Sequence, residues 1–350
     1  MLGDGVLADL ATVVADTCPA ASYVVISDSN VAPLHAEQVV NRIGDVAPTQ
    51  LITFPAGERH KTRKTWSTIT DQMIEAGVGR DGAVIAVGGG VVGDVAGFVA
   101  ATYMRGIPYV QVPTTLLAMI DSSIGGKTGV DTRAGKNLVG AFHQPKLVLA
   151  DVATLETLPA KEFTAGIAEA VKHGAITDAD YLTRLADQHR EILEHDSEAV
   201  TALVAGSMAI KASVVMNDER EQGRRAVLNF GHTVGHAVEA ASGYELLHGE
   251  GVAIGMAIEA QLGANLGVTD ADTQPRLCST LELFGLPRSL PSDVPVETLL
   301  DLMRHDKKAR DHGLRFTLLK RLGEIARPED GGWTHSVSQT EIGETLHQGF

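Results

Sequence analysis

Along the first 155 residues, short β-rich runs alternate with amphipathic stretches, and this alternation constrains the fold more than any other feature of the chain. The runs YVVISD (Tyr23–Asp28), QLITFP (Gln50–Pro55), AVIAVGGG (Ala83–Gly90), YVQVP (Tyr109–Pro113) and KLVLAD (Lys146–Asp151) mostly end in glycine, proline or aspartate. Helical spacing fills the gaps at His35–Ile43, Thr62–Ala76 and Val91–Tyr103. Strand and helix in alternation predict parallel βαβ units, and hence a Rossmann-like α/β domain. Beyond residue 155 the texture turns helical. Glu162–Ile176, Tyr181–Leu193, Ala199–Asn217, His232–Ala241, Glu250–Leu266 and Thr273–Phe284 repeat apolar residues at helical intervals. RFTLLKRLGEI, from Arg315, reads as a small β-hairpin. The predicted layout is a parallel-sheet α/β domain over residues 1–155 and an α-helical domain over 156–350, with ligands expected in the cleft between them.

The third run leads into Gly88-x-Gly90-x-x-Gly93, a glycine turn that follows a strand and opens a helix. Glycines allow positive φ and close backbone approach, and the free amides of a helix N-terminus attract a pyrophosphate. A tight turn without ligand has the same pattern, but the strand–turn–helix context favours a nucleotide. A simple dinucleotide unit also carries an acidic residue about 20 positions on, at the end of the next strand. Here that strand is YVQVP, which has none. A ribose must then be held elsewhere. Asp28 and Asn30 after the first strand, and Glu58 with Lys61 after the second, are candidates, although each also serves as ordinary turn chemistry.

DSSIGGKTGVDTRAGKNLVG (Asp121–Gly140) is too glycine-rich for a regular helix and unusually polar. It is expected to place Lys127, Lys136 and Asn137 on glycine-rich loops that bring backbone amides close to an anion. Arg105, Lys172, Lys211, Arg225 and Lys308 recur in similar small-residue or capping contexts. Spacing leaves their convergence open, since a single lysine is more often a solvated charge. If they converge, the pocket suits a small molecule carrying phosphate or carboxylate.

NFGHTVGHAVEAA sets His232 and His236 four apart, on one helical face. His248 follows in LLHGEGVAIG, and upstream AGIAEAVKHGA offers Glu169 and Lys172 three apart. Two or three histidines with one carboxylate and an open position form the ligand set of a catalytic zinc site. Spacing alone points to His232 with His236 as the pair, and helical histidines at this interval also occur without a metal. No thiolate lies in these segments, which argues against a closed structural zinc site.

Composition sets the outer bounds. The 350 residues carry 29 Lys+Arg against 44 Asp+Glu, a formal charge of −15, which argues against nucleic acid or an anionic membrane as a partner held by overall charge. The two cysteines, Cys18 and Cys278, are too few for a disulfide framework. The first residues lack a basic region followed by a long apolar core, and no apolar run is expected to reach the about 18 residues of a membrane span. A cytoplasmic protein is the expectation.

Taken together, GGGVVGDVAGFVAATYMRG, VPTTLLAMIDSSIGGKTGVD, GKNLVGAFHQP, GIAEAVKHG, NFGHTVGHAVE, LHGEGVAIGM and DKKARDHGLRFTLL closely resemble the 3-dehydroquinate synthases of the sugar-phosphate cyclase superfamily. The resemblance runs almost end to end. It implies a homodimeric enzyme dependent on NAD and on zinc, with cobalt as an alternative. The implied reaction converts 3-deoxy-D-arabino-heptulosonate 7-phosphate to 3-dehydroquinate and phosphate through transient oxidation, elimination, re-reduction and aldol closure. It also implies a different ligand set, Glu169, His232 and His248, with His236 on the substrate side. Substrate contacts are implied at Arg105, Asp121, Lys127, Asn137, Lys172, Lys211, Glu221, Arg225, Asn229, His236 and Lys308, the last chosen over Lys307. NAD contacts are implied at Asp28, Asn30, Gly57, Glu58, Arg59, His60 and Lys61, at Gly90, Val91, Val92, Gly93 and Asp94, and at Thr114 and Thr115. Lys136, Thr154, Leu155, Glu156 and Thr157 complete that set, which shares Asp121 and Lys127 with the substrate. The rivals are another cyclase, such as 2-deoxy-scyllo-inosose synthase acting on a hexose phosphate, and a metal-dependent polyol dehydrogenase. The intact GGKTGVD and GKN segments and the glutamate at 169 favour the first reading.

Overall fold

A computed structural model describes residues 1–221, 223–243, 245–305 and 314–348. Two compact units emerge, Met1–Pro159 with Val200–Ala205, and Ala160–Ala199 with Gly206–Phe350.

In the first unit the strands are β1 (Leu2–Gly3), β2 (Ser22–Asp28), β3 (Thr49–Phe54), β4 (Gly82–Gly88), β5 (Tyr109–Pro113), β6 (Lys127–Thr132), β7 (Gly135–Phe142), β8 (Leu147–Val148) and β9 (Ala150–Asp151). The helices are α1 (Leu10–Thr17), α2 (Glu37–Gly44), α3 (Arg63–Glu75) and α4 (Gly90–Thr102). Five strands form a parallel sheet in the order β3-β2-β4-β5-β8. Strand β2 shows why its sequence is almost wholly apolar. Val24 and Ile26 pack with α3 and α4, while Tyr23 and Val25 pack with α1 and α2 on the opposite face. The fifth predicted run divides. Its first part is β8 in the sheet, whereas β9 pairs with β1, and the Asp151 carboxylate accepts the amides of Gly5, Leu7 and Ala153.

The Asp121–Gly140 segment departs from expectation. Lys127, Lys136 and Asn137 lie not on loops but on an antiparallel hairpin, β6 with β7. Its glycines serve strand contact: Gly129 pairs with Gly140, and a Cβ on Gly129 would stand 2.8 Å from the Val139 carbonyl oxygen. A composition that reads as loop is here a ribbon whose Gly129–Gly140 pair leaves no room for a Cβ.

The second unit is mainly helical: α5 (Ala160–Thr177), α6 (Ala179–Asp187), α7 (His189–Leu193), α8 (Ser197–Asn217, of which Val200–Ala205 group with the first unit), α9 (His232–Ala241), α10 (His248–Asn265), α11 (Thr273–Leu283), α12 (Val296–His305) and α13 (Gln339–His347). Two small ribbons join them, β10 (Leu314–Phe316) with β13 (His335–Val337) and β11 (Leu319–Arg321) with β12 (Glu324–Ile325). The hairpin expected from Arg315 therefore starts later, and its first residues pair with a strand that the sequence reading left out. The stretch Tyr181–Leu193 is two helices, broken at Gln188. One core joins α9, α10, α12 and α13 with β10 through Val234, Ile254, Leu299, Phe316 and Ile342. Contrary to the expectation that no apolar stretch is long enough, α8 is long and apolar enough, by length and composition alone, to cross a membrane. It carries a buried Lys211 and a buried Ser207, the latter 2.8 Å from the Tyr181 hydroxyl.

The glycine turn also has a packing reason. A Cβ on Gly93 would lie 2.8 Å from Gln111 Oε1, and the Gln111 amide is itself held by donating to the Tyr109 hydroxyl at 3.2 Å. Gly93→Val is expected to destabilise the protein by about 1–3 kcal/mol through overpacking, read as a lower urea midpoint at unchanged slope.

Candidate active site: a buried carboxylate among imidazoles

Helix α5 buries Glu169 completely and Lys172 to 1% exposure, one turn apart on one face. Ionised carboxylates are costly to bury, so each must meet opposite charge or donors. Lys172 Nζ pairs with Glu169 Oε2. The other oxygen, Oε1, faces His232 Nε2 at 3.4 Å and His248 Nε2 at 3.5 Å. Ligand atoms from Glu169, His232 and His248 all fall within 4.8 Å of one another.

The outer nitrogens of the two rings are anchored. His232 Nδ1 donates to the Phe230 carbonyl at 3.1 Å, and His248 Nδ1 lies 2.9 Å from Glu239 Oε1. Such anchoring fixes ring orientation and leaves Nε2 directed inward, the arrangement that metal-binding histidines use. Burial, helped by Lys172, holds His232 well below the ordinary histidine range. Burial also opposes charge on His248, but Glu169 and Glu239 outweigh it and push that ring up to about 10. A donor set of one carboxylate and two inward Nε2 atoms therefore fits a divalent cation of the zinc class.

His236 lies beside this cluster and is exposed, its ring centre 5.2 Å from that of His232 and 5.8 Å from that of His248. The pair favoured by spacing, His232 with His236, does not share a compact ligand group among the described residues; a second group instead joins His236, Glu239 and His248. The i,i+4 interval puts the two rings on one face but turns them edge to face, at 87°.

Close helix contact makes the cluster possible. A Cβ on Gly235 of α9 would sit 2.9 Å from the Gly251 carbonyl of α10. The start of α9 is capped from another helix: Gly231 has no side chain to cap with, and Glu259 of α10 accepts the amides of Gly231 at 2.7 Å and Val234 at 3.1 Å. Burial pushes the Glu259 carboxyl up to about 8, against the pull of these amides and that of Thr233. Sequence reasoning missed both Glu239 and Glu259. Glu239 was findable at three residues beyond His236, whereas Glu259 has no local signal.

Other expected residues are placed as follows. In the second unit Lys211 and Arg225 are buried, at 5% and 2% exposure, and Arg225 donates to the Glu219 carbonyl at 2.6 Å. Asp218 shapes that loop by accepting the amides of Gly223 and Arg225. Glu221 has φ 58°, and Asn229 is half-buried. Lys307 and Lys308 lie outside the described residues. In the first unit Arg105, Lys127, Lys136 and Asn137 are exposed. Arg105 and Asn137 have φ of 69° and 54°, so three of the expected substrate residues hold a left-handed backbone, which side chains adopt at a cost and which recurs at functional sites.

Around the glycine turn, α4 begins after Gly89 with no side-chain cap, and a Cβ on Gly89 or Gly90 would stand about 3 Å from Thr115 or Ser122. Uncapped amides in a glycine-lined notch suit a pyrophosphate. Asp28 Oδ1 accepts the amides of Asn30 and Val31. Lys61 is buried and pairs with Asp94 at 2.6 Å, with Glu58 at 3.9 Å; these acids raise its pKa although burial works the other way. Gly57 has φ 105° and opens the turn of Glu58, Arg59 and His60. Thr114, Thr154 and Leu155 are buried, Thr115 Oγ1 accepts the Ala118 amide, and Thr157 Oγ1 is 2.7 Å from His35 Nε2. Val92 is buried in the core beneath α4, while Val91, Glu156 and Asp121 keep some exposure.

Two family profiles match the chain, one described as 3-dehydroquinate synthase N-terminal over residues 51–165 and one as 3-dehydroquinate synthase C-terminal over 166–309. The chain belongs to the 3-dehydroquinate synthase family. It is 46% identical over 332 residues to the 3-dehydroquinate synthase of Symbiobacterium thermophilum, covering 94% of this chain and 93% of that protein. To the Geotalea uraniireducens enzyme of the same name it is 50% identical over 275 residues, covering 78% and 76%. Among solved structures it resembles 2-deoxy-scyllo-inosose synthase in complex with carbaglucose-6-phosphate, NAD+ and Co2+, with TM-score 0.93, 28% identity and coverage of 100% and 96%. It also resembles 2-epi-5-epi-valiolone synthase from Streptomyces hygroscopicus with NAD+ and Zn2+, with TM-score 0.88, 29% identity and coverage of 99% and 95%. Membership makes the chain an enzyme, a phosphate-eliminating lyase. The fold is common to the cyclases, and it is the higher sequence identity that separates dehydroquinate synthases from the others.

Two outcomes follow from the helix contacts. Gly235→Val is expected to force α9 from α10 and lower stability by about 1–3 kcal/mol. Glu259→Ala strips the buried amides of Gly231 and Val234 of their acceptor, and is expected to cost roughly 2 kcal/mol or more in chemical denaturation.

Proposed function

We propose that the chain carries out the 3-dehydroquinate synthase reaction, converting 3-deoxy-D-arabino-heptulosonate 7-phosphate to 3-dehydroquinate and phosphate in the shikimate route. The observation that carries this reading is the Glu169–His232–His248 cluster in a chain that matches dehydroquinate synthases over 94% of its length. Glu169, His232 and His248 would hold zinc, or cobalt in its place, since both accept one carboxylate and two imidazoles. The amides at Gly90–Gly93 and the Asp28–Asn30 and Thr154–Thr157 turns would hold NAD. When bound, the pair supplies a reversible oxidation next to the carbon that must lose its proton, and a Lewis acid for the neighbouring oxygens.

The chain's own residues supply charge and position. Lys172, Lys211 and Arg225 are buried cations in the second unit, and Arg105, Lys127 and Asn137 are exposed donors in the first. Their donors suit the phosphate and carboxylate of the substrate, and fixing both ends of the molecule orients its reacting carbon. His236, exposed beside the cluster, is the group placed to move a hydroxyl proton, with Asn229 or water as relay. A homodimer in the cytoplasm completes the reading.

The likeness to 2-deoxy-scyllo-inosose synthase supports a second reading, with a hexose phosphate as substrate. That substrate has no carboxylate to engage the buried cations. The test is incubation with the heptulosonate phosphate, NAD+ and zinc, with the product identified by NMR. One phosphate per product and no accumulation of NADH is the expected outcome. Turnover of glucose 6-phosphate instead selects the second reading, and stoichiometric NADH makes the chain a dehydrogenase. Metal analysis after dialysis tests the ligand set: His248→Ala is expected to lose zinc and turnover, and His236→Ala to keep zinc while losing turnover.

A further inference from the structure

A groove of about 730 Å³ opens in the second unit, and none of the cluster residues lines it. Its floor is apolar, with Val227, Val268, Ile325 and Ala326. At its rim stands Trp333, with the guanidinium carbon of Arg327 4.4 Å from the ring centre and that of Arg224 at 5.9 Å. Among the described residues neither arginine meets a carboxylate. Arg327 donates to the carbonyls of Gly331 and Gly332, and Arg224 lies over the ring. Glu324, the one acid among the described lining residues, has both oxygens engaged, by Lys320 at 2.9 Å and Arg321 at 2.8 Å. The groove is thus locally cationic in a chain of net charge −15.

Stacking on an aromatic ring uses the face of a guanidinium and leaves its edge N–H groups in plane, where they match a carboxylate. It also immobilises the side chain, so less freedom is lost when an anion arrives. The size lies within the range of small-molecule sites. Inorganic phosphate would leave the apolar floor in contact with water, and a neutral ring would leave the charge of Arg224 unmatched. We propose that this groove binds a small aromatic carboxylate, with its carboxylate on the edge of Arg224 and on Nη1 of Arg327, whose Nε and Nη2 serve the Gly332 and Gly331 carbonyls, and its ring on the Val227–Ile325 floor.

The chain has two tryptophans, so Trp66→Phe leaves Trp333, beside the groove, as the sole tryptophan for selective excitation. In that background, titration with benzoate is expected to change the emission saturably. Benzamide, acetate and inorganic phosphate are each expected to bind about tenfold more weakly or worse. Arg224→Gln and Arg327→Gln should each weaken benzoate by about tenfold, with unchanged far-UV circular dichroism. Arg224→Gln keeps the test sound if Arg327→Gln loosens the turn that it holds. No saturable change, equal binding of benzamide or phosphate, or undiminished benzoate binding by Arg224→Gln would each overturn the proposal.

Discussion

A carboxylate sealed from water governs the second unit. Glu169 has no exposed surface, and one lysine answers only one of its two oxygens. The other oxygen faces two imidazole nitrogens, and a neutral imidazole presented by Nε2 offers a lone pair, not a proton. Lone pairs so close to one another are tolerable only when a proton or a cation sits among them. The second acid, Glu239, held against His248 Nδ1, sharpens the demand, and the raised pKa of that ring expresses it. The residue pattern of a metal site and the electrostatics of the fold are therefore compatible, since either a proton or a cation answers this charge.

Helix packing delivers that arrangement. Glycines on α9 and α10 let two backbones approach until side chains from three helices meet, and Glu259 reaches across to satisfy the amides at the start of α9. In the first unit glycine has the same use. It admits Gln111 beneath α4 and lets β6 and β7 pair closely at Gly129 and Gly140. In each case the absent side chain is the structural element, because packed interiors have no spare volume.

Much was legible from residues alone. The β2, β4 and β5 runs are mostly apolar because helices cover both faces of the sheet, and such runs can be read without knowing their neighbours. Helices α5, α8, α9, α10 and α11 were visible by period. Helices α1, α12 and α13 fall outside the stretches that read as helical, and the hairpin at Lys127–Phe142 reads as loop, since glycine content signals flexibility until a partner strand appears. Among the site residues, the i,i+4 histidines and the Glu169–Lys172 pair were visible locally. Their grouping was not, because His248 and Glu169 come from other helices, and spacing alone favoured a histidine pair whose rings meet edge to face.

What the sequence determined by itself is the inventory: an alternating α/β half, a helical half, a glycine turn and a set of histidines, acids and cations, together with a resemblance specific enough to name a family. Those follow from local period and from residue order, which the chain carries in one dimension. Only the tertiary structure decided which imidazoles turn towards Glu169, that Glu239 and Glu259 support them, and that Arg224, Arg327 and Trp333 share a groove. These depend on helices meeting at backbone distance, and whether two residues remote in sequence share a few ångströms is settled by packing alone.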